Sequence, residues 1–221
     1  MTDDKIWAEG LLYFYEIFKF LEEALDRLGH TSLSEFDVEG MRRTKQFKAD
    51  LDFWYGEDWM NNVYVPDESV ANYIEYLKEL EKNNHHMLAA YYYHLYVGLF
   101  AGGQILRKKR EMEARFNLCK VTADSKKGQT VTDFKEIPIA RLKRQIIEAV
   151  ETIASQLGEE DKACLLEESR MVFRMNNTMI RRIKTNKVIF MKLLNFTLFA
   201  VPTVMAVYYG IQKVIGLLLL E

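Results

Sequence analysis

Three glycines lie inside an apolar segment with helical character, where glycine is unfavourable. Residues 91–110 read YYYHLYVGLFAGGQILRKKR, and each glycine destabilises a helix by roughly 1 kcal/mol relative to alanine. Gly98 and Gly102 are four residues apart and therefore share one face of a helix. A helix face without side chains allows either close packing of another helix or close approach of a flat ligand. The spacing alone leaves both interpretations open.

A histidine lies on the same helix face as these glycines. His94 precedes Gly98 by four residues, and a neutral imidazole is a common ligand of iron and other transition metals. His94 is therefore a candidate metal ligand on the glycine side, although packed or surface histidines are more common. The adjacent acid pairs 22–23 and 167–168 are interpreted as solvated helix faces. The sequence contains no phosphate-binding loop, nucleophile triad or zinc-ligand spacing.

The remainder of the chain predicts an all-α fold. Only three prolines occur in 221 residues, and apolar residues recur at three- and four-residue spacing. Helices are predicted over about residues 4–28, 38–55, 69–83, 86–116, 139–156 and 159–184. Residues 119–138 are polar and predict a loop.

The end of the sequence has the composition of a membrane span. Residues 193–212 carry no formal charge, and a helix of that length crosses a hydrocarbon core of about 30 Å. The preceding basic residues place the body in the cytosol by the positive-inside rule. The sequence thus predicts a helical domain over residues 1–180, a basic juxtamembrane collar over 181–192 and a C-terminal transmembrane tail anchor over 193–220.

The net charge of −2 conceals an uneven distribution. Residues 181–221 hold six basic groups and one acidic group, which leaves 24 basic and 31 acidic groups, a net charge of −7, in the body. An acidic body argues against nucleic acid as a partner. The two cysteines, Cys119 and Cys164, are interpreted as reduced thiols because they form no disulfide framework.

Four segments resemble one known family in sequence order. YVGLFAGGQILRKK resembles the distal-helix motif of heme oxygenases, in which a kinked, glycine-bearing helix covers one face of heme. LEEALDR, DLDFWYGEDW and EESRMVFRMN resemble further segments of this family, and the chain is most similar to arthropod members. The resemblance implies oxidative opening of heme to biliverdin, carbon monoxide and ferrous iron. It also implies electrons from NADPH through a membrane-bound cytochrome reductase, and a location on the endoplasmic reticulum membrane.

The resemblance assigns roles to individual residues. Gly98 and Gly102 match the glycines against which heme lies, and Tyr93 matches a tyrosine near the heme propionates. Phe173 and Asn176 match pocket positions on the later helix. Arg144 is the best match for the propionate-binding arginine. Arg141 and Lys143, within one turn of Arg144 on the same helix, are the alternatives.

The match departs from the family pattern in two places. The helix that carries the proximal histidine in the family corresponds to a position before residue 1, so no proximal ligand is assigned. Leu99 stands where the family has its distal aspartate, and a leucine cannot order the water that delivers protons to bound oxygen. Three hypotheses follow: a membrane-anchored heme oxygenase, a non-catalytic heme-binding or sensor protein, and a tail-anchored interaction protein that retains only the fold.

Overall fold

The computed structural model describes residues 4–65, 67–116, 127–134 and 137–183. This part of the chain contains no strand, which confirms the predicted all-α fold. Its α-helices are α1 (Asp4–Arg27), α2 (Thr44–Tyr55), α3 (Trp59–Asn62), α4 (Glu68–Asn84), α5 (Leu88–Gly98), α6 (Gln104–Phe116), α7 (Ile139–Gln156) and α8 (Glu159–Arg182). Short 3₁₀ turns cover Ser32–Phe36, His85–Met87 and Thr130–Thr132, and a π-helical turn covers Leu99–Gly103.

The core is built around α1, which packs against α2 and α4. Buried residues recur along α1 at the helical period, among them Leu11, Phe18 and Leu25. The Phe18 ring lies 5.0 Å from the ring of Phe47 on α2 and 5.1 Å from that of Tyr96 on α5. Burying a side chain of this size contributes about 1.5–3 kcal/mol. The aromatic contacts therefore hold the glycine-bearing helix against α1.

A glutamate from α1 determines where α2 begins. Glu22 is only 6% exposed, and its carboxylate accepts hydrogen bonds from the backbone N–H groups of Arg43 and Thr44 and from the Tyr96 hydroxyl. These N–H groups would otherwise be unsatisfied at a helix start. The predicted helix over residues 38–55 is therefore wrong in its first six residues. The interpretation of residue 22 as solvated is also wrong.

The predicted helix over residues 86–116 is divided. A 3₁₀ turn (His85–Met87) precedes α5, and a π-helical turn (Leu99–Gly103) separates α5 from α6. The glycines account for the second interruption, because a backbone without Cβ atoms adopts irregular helical turns readily. The remaining helices agree with the prediction to within a few residues, and α3 was not predicted.

Residues 127–134 of the predicted loop are held against α1 and α2. The buried carboxylate of Asp50 accepts hydrogen bonds from Thr130 N at 2.8 Å, Thr130 Oγ1 at 2.7 Å and Val131 N at 2.9 Å. The indole N–H groups of Trp7 and Trp54 both donate to the carbonyl of Gly128, at 2.7 and 2.9 Å. Gly128 has φ +69°, where a side chain would be strained and would overlap Trp54.

Residues 1–182 form one compact unit. The predicted membrane anchor, residues 193–220, lies outside the described residues. Among the helices that the structure describes, none combines the length and the apolar character needed to cross a membrane.

Candidate functional site

The candidate site is the irregular turn between α5 and α6. α5 runs to Gly98, the π-helical turn covers Leu99–Gly103, and α6 continues from Gln104. Such a turn interrupts the regular i to i−4 hydrogen-bond ladder and is a recognised cause of helix kinks. The glycines therefore coincide with the interruption of the single helix predicted over residues 86–116, and a kinked helix here is what the family resemblance implied.

The three glycines of this turn have different surroundings. Gly98 and Gly102 are exposed, and a Cβ added to either would meet no atom within 4 Å beyond its chain neighbours and its own helix backbone. Gly103 is buried, and a Cβ there would lie 2.9 Å from Cγ2 of Thr132. Close packing thus explains Gly103, whereas Gly98 and Gly102 leave an open backbone face. We call this surface the glycine face.

Two aromatic rings pack against His94, which lies one helical turn before Gly98 on α5. His94 is half-buried, and its ring lies 4.9 Å from that of Tyr93 and 4.9 Å from that of Phe173 on α8, both in edge-to-face geometry. The Phe173 side chain is 57% exposed, which is unusual for a phenylalanine in the middle of a packed helix. Burial lowers the pKa of His94, so its imidazole is neutral near pH 7.

A polar network joins α8 to α4 and α5 beside these rings. The Glu168 carboxylate accepts hydrogen bonds from the hydroxyls of Tyr76 at 2.7 Å and Tyr91 at 2.8 Å. About two helical turns further along α8, Asn176 Oδ1 accepts a hydrogen bond from the Tyr73 hydroxyl at 3.3 Å. Burial and the hydrogen bond to Glu168 raise the pKa of Tyr91 far above its ordinary range, so this hydroxyl stays protonated. The network holds α8 against α4 and α5 and so fixes the positions of Phe173 and Asn176.

Sequence reasoning missed this network and misplaced Glu168 on a solvated face. A signal was present, because Glu168 precedes the fully buried Val172 by four residues and so shares its helix face. Glu22 carries the same signal, since it follows the buried Phe18 by four residues. In each adjacent acid pair, one carboxylate therefore belongs to the packed face.

The remaining predicted residues have distinct environments. Leu99 is half-buried, and its Cδ1 lies 3.3 Å from the position that a Cβ on Gly103 would take, so its side chain lies along the π-helical turn. The Arg144 side chain is 72% exposed and lies 3.7 Å from Glu148 on the same helix. Arg141 is exposed and Lys143 is half-buried. The assignment of a propionate-binding residue on α7 stays a prediction.

Comparison with known proteins decides the family. A sequence profile described as heme oxygenase matches residues 2–182. The chain belongs to the heme oxygenase family. A heme oxygenase from Rhodella violacea is 24% identical over 200 residues, which cover 89% of this chain and 81% of that protein. A heme oxygenase from Takifugu rubripes is 27% identical over 173 residues, which cover 75% of this chain and 57% of that protein.

Solved heme oxygenase structures share this fold. The enzyme from Leptospira interrogans is 26% identical, with a TM-score of 0.69, and the match covers 81% of this chain and 84% of that one. Heme oxygenase-2 from Synechocystis, solved with heme and NO, has a TM-score of 0.75 at 21% identity, and the match covers 90% and 79% of the two chains. The second likeness concerns the fold alone.

The glycine face fits a heme ring. Gly98 and Gly102 are exposed and have open space beside their backbone. The exposed Phe173 ring lies 4.9 Å from that of His94. His94, one helical turn before Gly98, adds a polar group on this side of α5. A flat, mostly apolar ring with polar substituents at one edge matches such a combination.

Proposed function

We propose that the glycine face binds heme and that the chain performs the family reaction, the opening of heme to biliverdin, carbon monoxide and ferrous iron. The observation that carries the proposal is the open backbone at Gly98 and Gly102, where an added Cβ would meet nothing within 4 Å. Electrons would come from NADPH through a cytochrome reductase. The acidic body, with its net charge of −7, offers a surface for a partner of complementary charge.

The residues of the chain have separate tasks in this proposal. Gly98 and Gly102 let the ring lie against the helix backbone, and Phe173 packs against its apolar part. Asn176 accepts a hydrogen bond from the Tyr73 hydroxyl and would present its side-chain amide to the heme. When bound, heme supplies the oxygen chemistry itself, and the protein supplies orientation and the exclusion of water.

A second candidate function is heme binding without turnover. Leu99 favours it, because a leucine has no polar atom that could order water for proton delivery at the position where the family has an aspartate. Binding and turnover must therefore be measured separately on the same preparation.

The experiment uses the full chain in lipid nanodiscs, titrated with hemin and followed by its Soret absorption. The proposal requires saturable binding that Gly102→Leu weakens, because a leucine side chain would occupy the glycine face. Gly10→Leu on α1 is the matched control, since a Cβ at Gly10 also meets no atom within 4 Å. Equal affinity of the two variants would contradict the proposed site.

Turnover is then measured with NADPH and a microsomal NADPH–cytochrome reductase, by the absorption of biliverdin and the release of carbon monoxide. Biliverdin formation supports the enzyme. Saturable hemin binding without biliverdin supports the second candidate. A hemin titration that never saturates contradicts both.

We also propose that residues 193–220 anchor the protein in the endoplasmic reticulum membrane with the body in the cytosol. The support is the uncharged run of residues 193–212 and the basic residues before it. The full chain should resist alkaline carbonate extraction from membranes, and a chain that ends at residue 192 should be extracted. Extraction of the full chain would contradict the anchor.

A further inference from the structure

His94 lies at a fixed distance from the centre of the glycine face. It precedes Gly98 by one helical turn, about 6 Å along the axis of α5, and the midpoint between Gly98 and Gly102 by about 9 Å. Long side chains on a helix also lean towards its N-terminus, away from the glycines in this case. A group centred over the two glycines therefore meets His94 at its edge.

The His94 ring is oriented by packing against two aromatic rings. Tyr93 and Phe173 each approach it at 4.9 Å in edge-to-face geometry. Within the part of the chain that the structure describes, no hydrogen bond or ion pair of His94 is found. Burial lowers the pKa of His94, so the neutral ring carries one N–H donor that a bound ligand can use.

Arg144, the residue best matched to the family's propionate-binding arginine, is already paired and largely in water. Its guanidinium lies 3.7 Å from Glu148, and its side chain is 72% exposed. A donor that is half-buried and free of a partner interacts more strongly with a carboxylate than a solvated, paired cation does. His94 satisfies these conditions at the border of the glycine face.

We propose that the His94 N–H donates a hydrogen bond to a carboxylate at the edge of the porphyrin, and that His94 thereby sets the orientation of the ring on the glycine face. The inference rests on the proposed heme binding. It assigns His94 to the periphery of the ligand, where it recognises the acid groups and does not reach the metal.

Three ligands separate recognition of the carboxylate from binding of the metal. Hemin has both the iron and the acids, protoporphyrin IX has only the acids, and hemin dimethyl ester has only the iron. Each is titrated against the full chain in nanodiscs, with empty nanodiscs subtracted, and followed by quenching of tryptophan fluorescence. The variants are His94→Phe, which keeps an aromatic ring without a donor, and His94→Gln, which keeps an N–H donor. Circular dichroism of each variant checks that the helical fold is retained.

We expect His94→Phe to weaken the binding of hemin and of protoporphyrin IX alike, by about tenfold. His94→Gln should stay within about threefold of the unmodified chain, and the ester should bind the chain and both variants equally. A loss of affinity confined to the two iron-containing ligands, with a shifted Soret band, would overturn the inference in favour of axial ligation of the iron by His94. Unchanged hemin affinity in His94→Phe would overturn it as well. If no porphyrin binds the unmodified chain, the proposed function itself fails and the inference falls with it.

Discussion

The Tyr91 hydroxyl donates a 2.8 Å hydrogen bond to the carboxylate of Glu168, and this contact joins α5 to α8 one turn before His94. Tyr91 is fully buried, and the second carboxylate oxygen accepts from Tyr76 at 2.7 Å. The position of Phe173 against His94 depends on this junction, because both contacts lie between the same two helices.

Replacing Glu168 by alanine should destabilise the fold by about 1–3 kcal/mol, because the buried Tyr91 hydroxyl loses its acceptor. The measurement is urea unfolding followed by circular dichroism. Glu167→Ala is the matched control, since that exposed carboxylate only pairs with the exposed Arg170, and its effect should stay within about 0.5 kcal/mol. Equal losses in the two variants would show that the buried hydrogen bonds contribute nothing specific.

Two alanine substitutions in the glycine turn should have opposite effects. Gly103→Ala should be destabilising by about 1–3 kcal/mol, because the new Cβ would lie 2.9 Å from Thr132 Cγ2. Gly98→Ala should be stabilising by up to about 1 kcal/mol, because the site is open and alanine favours the helix.

The decisive control for the glycine turn is the double variant Gly103→Ala with Thr132→Ser. Serine removes the methyl group and keeps the hydroxyl that donates to the Gln129 carbonyl at 2.9 Å. Thermal unfolding of the double variant should recover most of the lost stability. If it is no more stable than Gly103→Ala, the contact with Thr132 is not the cause.

Asp50→Asn should release the turn of residues 127–134 and lower the free energy of unfolding by about 2–3 kcal/mol, because three hydrogen bonds to a charged acceptor are lost or weakened. Hydrogen exchange at the amides of Thr130 and Val131 should accelerate. Asp58→Asn, at an exposed position, is the control. Unchanged exchange in Asp50→Asn would contradict the role given to this carboxylate.

Acidification should destabilise the protein through His94. Burial lowers the pKa of His94 below its ordinary 6.5 in the folded chain, so the unfolded state takes up a proton first as the pH falls. Stability should decrease as the pH falls below about 6.5 and level off below the folded pKa. His94→Gln should remove this contribution to the pH dependence of the free energy of unfolding. The contribution of His85, whose pKa burial also lowers, should remain. An NMR titration that places the pKa of His94 at or above 6.5 would contradict the prediction.

Much of the helical framework follows from local patterns. The bounds of α1, α4, α7 and α8 follow the apolar period and lie within a few residues of the predictions. The start of α2 was missed because its cap is Glu22, a residue 21 positions earlier than Arg43. A cap supplied from a distant helix has no signature at the helix start itself.

The candidate site was predicted in part. Gly98 and Gly102 were placed on one face because helical spacing fixes relative direction. Which glycine packs and which stays open depends on Thr132, which reaches Gly103 from a segment about 30 residues later. The role of Glu168 likewise depends on two tyrosines from other helices.

The sequence by itself determined the all-α class, the presence of a glycine-bearing helical segment and the membership of the heme oxygenase family, since periodicity and ordered motifs are properties of the chain alone. The tertiary structure decided which carboxylates are buried, which glycines remain open and what surrounds His94. The physical reason is that burial and hydrogen bonding are set by neighbours distant in sequence, whereas helical periodicity is set by residues three and four positions away.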